Sequence, residues 1–196
     1  MSQHIEIEFK NLLTKDEFIE LTTFLQFSTE DFKTQINHYF DTPSFSLKKQ
    51  GCALRIREKS EHMELTLKQP APTGLLETNQ ILTEREKQNM MQTGNLPKGP
   101  VFHILTEVLH PNESVSYFGS LTTKRAEKKY KDGLIVLDHS QYLNTEDFEL
   151  EFEVEDEQIG LRNFQNILHQ LQIPMRKTDN KMMRFYKQKQ KEQENI

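Results

Sequence analysis

Carboxylates and cations alternate with apolar residues in several short stretches of this sequence, a spacing suited to chemistry on a polyanion. In HIEIEFK, Glu6, Glu8 and Lys10 stand two residues apart, with Ile5, Ile7 and Phe9 between them. On a β-strand, alternate side chains point to opposite faces, so the charged set shares one face and the apolar set the other. The same parity recurs with Arg55 and Arg57 in LRIR, and with Glu64, Thr66 and Lys68 in ELTLK. It recurs again with Arg125, Glu127 and Lys129 in RAEKK, and with Glu149, Glu151, Glu153 and Glu155 in ELEFEVE. One triplet by itself reads as a solvated face whose ion pairs are worth little. The set carries more: two arginines on one face present the fork geometry that suits phosphate or carboxylate. Four aligned glutamates repel one another unless a divalent metal or neighbouring Arg and Lys sit among them.

Eight strand patterns hold these residues: HIEIEFKNLL, QINHYFDT, CALRIREKS, HMELTLKQP, LLETNQILT, TTKRAEKKY, GLIVLDHSQYL and DFELEFEVED. Turn residues separate them, and Asp132-Gly133 marks a hairpin. Helical patterns interrupt in three places. The first begins at Thr14, an N-cap with Glu17 completing a capping box, and carries Phe18, Leu21 and Leu25 on one face. The second runs over about residues 84–109, broken by TGNLPKGP, and the third carries a buried stripe of Leu161, Phe164, Leu168 and Leu171. Antiparallel strands of this kind curl either with charges outward, as a polar-shelled barrel, or with charges inward under a coat of helices, as a charged tunnel. The apolar strand faces offer the helices a surface to pack on, which favours the tunnel.

Composition narrows the function. The net charge of -5 in 196 residues gives no bulk basic surface for a nucleic acid polymer. A single cysteine, Cys52, rules out an intramolecular disulfide and reads as a small core residue in a reducing cytoplasm. The first residues lack a secretory pattern, and no apolar run approaches the roughly 20 residues of a membrane span. The seven histidines lack zinc-ligand spacing, and with seven glycines and no Walker loop, side chains must hold any phosphate. One domain over residues 1–186 is expected, followed by a frayed polar tail from Lys187 to the end.

The ordered pieces EIEFK, HYFDTP, GCALRIRE, LTLKQP, KRAEKKY, LDHSQYL, FELEFEVED and NKMMRFY resemble the CYTH superfamily, the triphosphate tunnel metalloenzymes, over most of the chain. The likeness is strongest to its small stand-alone bacterial members. That resemblance implies an α+β, mostly antiparallel β fold: an eight-stranded closed β-barrel with a charged interior and helices packed outside. It implies a metal-dependent triphosphatase using Mg²⁺ or Mn²⁺, acting on a small triphosphate-containing substrate, inorganic triphosphate first, as a monomer or homodimer. By resemblance, Lys10, Arg55, Arg57, Lys68, Arg125, Lys181 and Arg184 bind phosphate, with Lys129 a further candidate. Glu6 and Glu8 are the first metal pair and, with Lys10, the catalytic group. Asp138, Glu149, Glu151 and Glu153 are the remaining metal candidates; strand parity does not separate Glu149, Glu151, Glu153 and Glu155. Glu64 and Glu127 are expected to pair with neighbouring cations, and Asp41, Thr42 and Pro43 to end a strand and set a turn.

Three other readings remain at this point: a class IV-type adenylate cyclase, a non-catalytic binder of polyphosphate or nucleoside triphosphate, and a carrier barrel for an apolar ligand. The last requires an apolar lumen, which the strand parity opposes.

Overall fold

Each strand of this protein buries one apolar face, and the helices lie where those faces are. A computed structural model describes residues 2–60 and 62–194. The strands are β1 (Ser2–Leu13), β2 (Lys33–Asp41), β3 (Ala53–Glu58), β4 (Met63–Pro70), β5 (Leu75–Leu82), β6 (Ser116–Tyr130), β7 (Gly133–Tyr142) and β8 (Thr145–Val154). They hydrogen-bond in the order β1-β5-β4-β3-β2-β6-β7-β8, and β8 returns to β1 to close an antiparallel barrel. The helices are α1 (Lys15–Phe24), α2 (Ser46–Lys49), α3 (Glu84–Thr93), α4 (Pro100–Val108), α5 (Glu157–Gln170) and α6 (Lys181–Glu194). This is the expected α+β architecture. Among the described residues, no helix is long and apolar enough to cross a membrane.

The chain divides into two compact units, each with its own core. The first comprises the residues up to Ile5 and Gln35–Ser120. Its core joins Phe40, Leu54, Ile56, Leu65 and Leu67 from the strands to Leu47 of α2, Met90 of α3, and Val101 and Leu105 of α4. Cys52 is buried in the same cluster. Asp41 closes β2 by accepting the backbone N–H groups of Thr42, Leu47 and Lys48 at 2.7, 3.0 and 3.0 Å, so its role is structural.

The second unit comprises Glu6–Thr34 and the chain from Leu121 onward. Leu21 of α1 and Phe164, Ile167 and Leu168 of α5 cover Ile135, Leu137, Phe148, Leu150 and Phe152. Each fully buried Leu or Phe stabilises by about 1.5–3 kcal/mol. The Thr14 capping box forms as expected: the Glu17 N–H donates to Thr14 Oγ1, and the Thr14 N–H to Glu17 Oε2 at 2.7 Å. Gly160 brings α5 onto β8, since a Cβ there would lie 2.5 Å from Val154 Cγ2.

Several expectations need correction. The hairpin turn is Lys131-Asp132, with Tyr130 opposite Gly133; Lys131 takes the positive φ of 50°, and Gly133 already belongs to β7. Leu161 is exposed on α5, and Gly160 takes its place on the packed face. Glu155 lies beyond the end of β8 and so leaves the glutamate row. The segment from Lys187 is not frayed: it continues α6 as far as Glu194.

Candidate active site

The strand faces turned away from the helix-packed cores carry the charges. In the second unit, the register sets Arg125 of β6 opposite Asp138 of β7, Asp138 opposite Glu149 of β8, and Lys10 of β1 opposite Glu151. Asp138 and Glu149 are fully buried, and Glu151 is 6% exposed. One carboxylate oxygen from each of these three lies within 4.8 Å of the others. Arg125 binds Asp138 through two hydrogen bonds, Nε to Oδ1 at 2.8 Å and Nη2 to Oδ2 at 2.6 Å, and reaches Glu151 Oε2 at 2.6 Å.

The remaining cations come from α6, which meets this charged face. The segment before α6 is strapped along β1: Asn11 donates to the Pro174 carbonyl and accepts from the Arg176 N–H, and Leu12 N–H donates to Thr178 Oγ1. Arg176 then forks onto Glu17, with both bonds at 2.8 Å. Lys181, Arg184 and Phe185 fall on one face of the following helix. Lys181 Nζ contacts Asp138 Oδ2 at 2.8 Å, Glu151 Oε1 at 2.5 Å, and Glu149 Oε2. Arg184 forks onto Asp147 and Glu149 at 2.9–3.1 Å, while Phe185 packs on Tyr142. Cations in the first turn oppose the helix dipole, and the facing carboxylates offset that cost.

Opposite charges hold Lys10, Asp138, Glu151 and Lys181 ionised against burial. Burial pulls the Lys181 ammonium toward neutrality, but Asp138, Glu149 and Glu151 outweigh it and hold its pKa well above the ordinary value. Lys10 is raised in the same way, with burial opposed by Glu8, Glu151 and Glu149. Conversely, burial would lift Glu151, yet Lys181, Arg125 and Lys10 hold it well below the usual carboxylate range. Asp138 is lowered against burial by Arg125 and Lys181.

Of the metal candidates, the structure brings together Asp138, Glu149 and Glu151. Glu8 instead ion-pairs with Lys10, and Glu8 lies opposite Glu153 one row further along the strands. Glu6 shares their strand face two residues from Glu8, and Glu6, Glu8 and Glu153 lie outside the tight carboxylate group. Buried carboxylate oxygens are hard donors that fit Mg²⁺ or Mn²⁺. The fit carries one condition: Lys181 Nζ already contacts all three carboxylates, so a divalent ion competes with it.

The first unit holds Arg55, Arg57 and Lys68. Arg57 Nε donates to Asn37 Oδ1 at 2.9 Å, Lys68 pairs with the buried Glu77, and Arg55 stands between Tyr39 and Thr66 in the cross-strand register. Glu64 lies opposite Arg57. Glu127 and Lys129 are exposed and lie outside the buried network.

Sequence reasoning missed Asp147 and Glu77. Asp147 has the parity of Glu149, two residues earlier, and Glu77 faces Lys68 across β4 and β5. Both lie inside strand patterns that the sequence shows, DFELEFEVED and LLETNQILT, at the parity of the charged face.

Known proteins are similar to this chain in sequence and in fold. A Bacillus subtilis (strain 168) protein named "Putative triphosphatase YjbK" is 51% identical over 97% of this chain and 99% of its own length. A solved Bacillus halodurans structure, described as a putative adenylate cyclase, is 45% identical, with a TM-score of 0.91 over 95% of this chain and 100% of that one. A Hippeastrum structure, HpAC1, shares the fold at 21% identity, with a TM-score of 0.77 over 93% of this chain and 96% of that one. The family model for the CYTH domain matches residues 4–186, and with that match the chain belongs to the CYTH domain family.

Proposed function

We propose that this protein is a divalent-metal-dependent hydrolase of a triphosphate-bearing substrate, with inorganic triphosphate the first choice. The observation that carries this is the buried group Asp138, Glu149 and Glu151, set on one strand face beside Lys10 and Arg125 and met by Lys181 of α6. A 51% identical relative bearing a triphosphatase name supports the same reading.

A triphosphate carries about four negative charges near neutral pH, so cations must neutralise it and hold it in line for attack. Lys10, Arg125, Arg184 and Lys181 supply such cations in the second unit; the first unit carries a cationic row of its own, Arg55, Arg57 and Lys68, on its polar strand face. Asp138, Glu149 and Glu151 would hold the Mg²⁺ or Mn²⁺ ion, with Glu6, Glu8 and Glu153 on the adjoining rows. When bound, the ion polarises a phosphoryl oxygen and orients water. Lys10, held protonated by Glu8 and Glu151, serves as a fixed cation and not as a base. A cytoplasmic enzyme, monomeric or homodimeric, completes this reading.

Purified protein incubated with inorganic triphosphate and Mg²⁺ or Mn²⁺ should release phosphate, and Glu6→Ala and Glu8→Ala should abolish the release. No release above those variants overturns the reading. The 45% identical Bacillus halodurans protein, described as a putative adenylate cyclase, favours a second reading, cyclase chemistry. Cyclic AMP formation from ATP in the same assay would select it.

A further inference from the structure

The strand face of the first unit contains buried polar atoms that its own residues leave unsatisfied. Asn37 Nδ2, Gln35 Nε2, Thr66 Oγ1, Arg55 Nε and Asn79 Oδ1 have no hydrogen-bond partner. Asn37, Thr66 and Gln35 are 0%, 1% and 4% exposed. All five residues share one face. Asn37 and Gln35 sit two apart on β2, Arg55 lies diagonal to Asn37 on β3, Thr66 is opposite Arg55, and Asn79 is opposite Thr66. The other face of these strands is the apolar core.

Each buried donor or acceptor left unpaired costs about 1–3 kcal/mol, so a row of them marks a place built for something else. The orientation of Asn37 is fixed. Arg57 only donates, so the amide oxygen faces Arg57 Nε at 2.9 Å and the NH₂ group points away from it. Glu77 on the same face is held by Lys68, and the remaining set is donor-rich: two amide NH₂ groups, a guanidinium N–H and a hydroxyl able to donate or accept, beside the Asn79 amide oxygen. A heterocycle edge mixes donors and acceptors, and a planar carboxylate is satisfied by one arginine fork. A phosphoryl group, with three accepting oxygens spread tetrahedrally, matches a donor set contributed by three strands.

We propose that Gln35, Asn37 and Thr66, with Arg55, form a phosphoryl-binding subsite that works without metal, its neutral donors selecting phosphoryl oxygens where the cations only attract charge. The proposal rests on the triphosphate reading of the strand face and names the groups in the first unit that read the substrate. A terminal phosphoryl of inorganic triphosphate or of a nucleoside triphosphate offers the same oxygens.

The test is calorimetric titration of the full chain with inorganic triphosphate, and in a second arm ATP, in EDTA, beside thermal melts. Asn37→Asp keeps an acceptor for Arg57 but replaces the NH₂ donor with a negative charge, and should weaken triphosphate binding about tenfold or more. Thr66→Val removes an unpaired hydroxyl at nearly constant volume. Its Tm should stay level or rise while affinity falls roughly threefold to tenfold. That loss should be the same at low and high salt, because the missing donor is neutral, whereas wild-type affinity itself falls as salt rises. Equal affinity in ATP and triphosphate assigns the subsite to the shared phosphoryl end, and preference for one identifies the source. Wild-type protein that fails to bind triphosphate in EDTA overturns the proposal. So does a Thr66→Val variant with lowered Tm and unchanged affinity. Hydrolysis is scored separately with Mg²⁺ or Mn²⁺. Wild type that binds in EDTA but releases no phosphate refutes the hydrolase reading alone, and hydrolysis with unchanged variant affinities refutes the subsite alone.

Discussion

The two units treat their polar strand faces in opposite ways. In the second, every buried charge already has a partner: Asp138 holds Arg125 and Lys181, Glu149 holds Lys181 and Arg184, and Asp147 holds Arg184. In the first, Thr66, Asn37 and Gln35 leave polar atoms unspent. A self-satisfied ionic network is stiff and yields only to a competitor for the same atoms. An unsatisfied one has lost stability in advance and recovers it on binding. On the reading proposed above, one face takes an incoming cation that competes with an ammonium, and the other an incoming anion that meets donors no side chain holds.

The largest effect should come from breaking the satisfied network. Asp138→Ala leaves Arg125 and Lys181 short of a buried carboxylate, and removing one partner of a buried ion pair costs about 3–5 kcal/mol. Urea unfolding should show a loss of that order. A loss below about 1 kcal/mol would place the network in solvent and erase the contrast with Thr66→Val, whose stability should not fall.

A smaller effect concerns which cation the carboxylates prefer. Lys181→Met removes the ammonium that touches all three candidate metal-holding carboxylates. The variant should melt lower in EDTA and recover with Mn²⁺, by about 2.7 kcal/mol once the ion reaches a hundred times its Kd. Wild type should gain less at the same concentration, because its ion must first displace Lys181. Equal Tm gains in the two proteins would show that Lys181 and the ion do not share oxygens.

Acid should separate the two faces as well. The folded pKa values of Asp138 and Glu151 lie below the ordinary range because neighbouring cations outweigh burial. The unfolded chain therefore takes up these protons first. The stabilisation is full above about pH 5 and is lost as pH falls through the ordinary carboxylate range to the depressed folded values. Stability of wild type should decline across that acidic window, and Asp138→Asn should show a shallower decline. Thr66→Val should track wild type in slope, since no titrating group changes.

The sequence made the strands legible because one face of each had to be apolar, and this period survives even where the partner strand is distant. It made Arg125, Asp138, Glu149 and Glu151 legible by the same parity, joined to family likeness. Helix α6 was hidden because KMMRFYKQKQKEQE has few apolar residues: what docks its first turn is ion pairing by Lys181 and Arg184, supported by Phe185. The early part of β6 was hidden because SYFGSL interrupts alternation with Gly119. Asp147 opens the strand pattern DFELEFEVED at the parity of Glu149, but parity does not tell that Arg184, on the hidden helix α6, closes onto it. Parity is blind to depth, which is why Lys129 stood beside Arg125 as a candidate.

That blindness supplies the smallest test. Arg125 and Lys129 occupy one strand at the same parity, but Arg125 grips two buried carboxylates while Lys129 is exposed opposite Leu134. Exposed substitutions away from caps and networks shift stability by less than about 0.5 kcal/mol. Lys129→Ala should therefore leave the urea midpoint and triphosphate affinity where they are, apart from a slight loss at low salt through long-range attraction. A tenfold loss of affinity that persists at high salt would mean that Lys129 folds inward onto bound substrate, extending the cation row one step beyond Glu151.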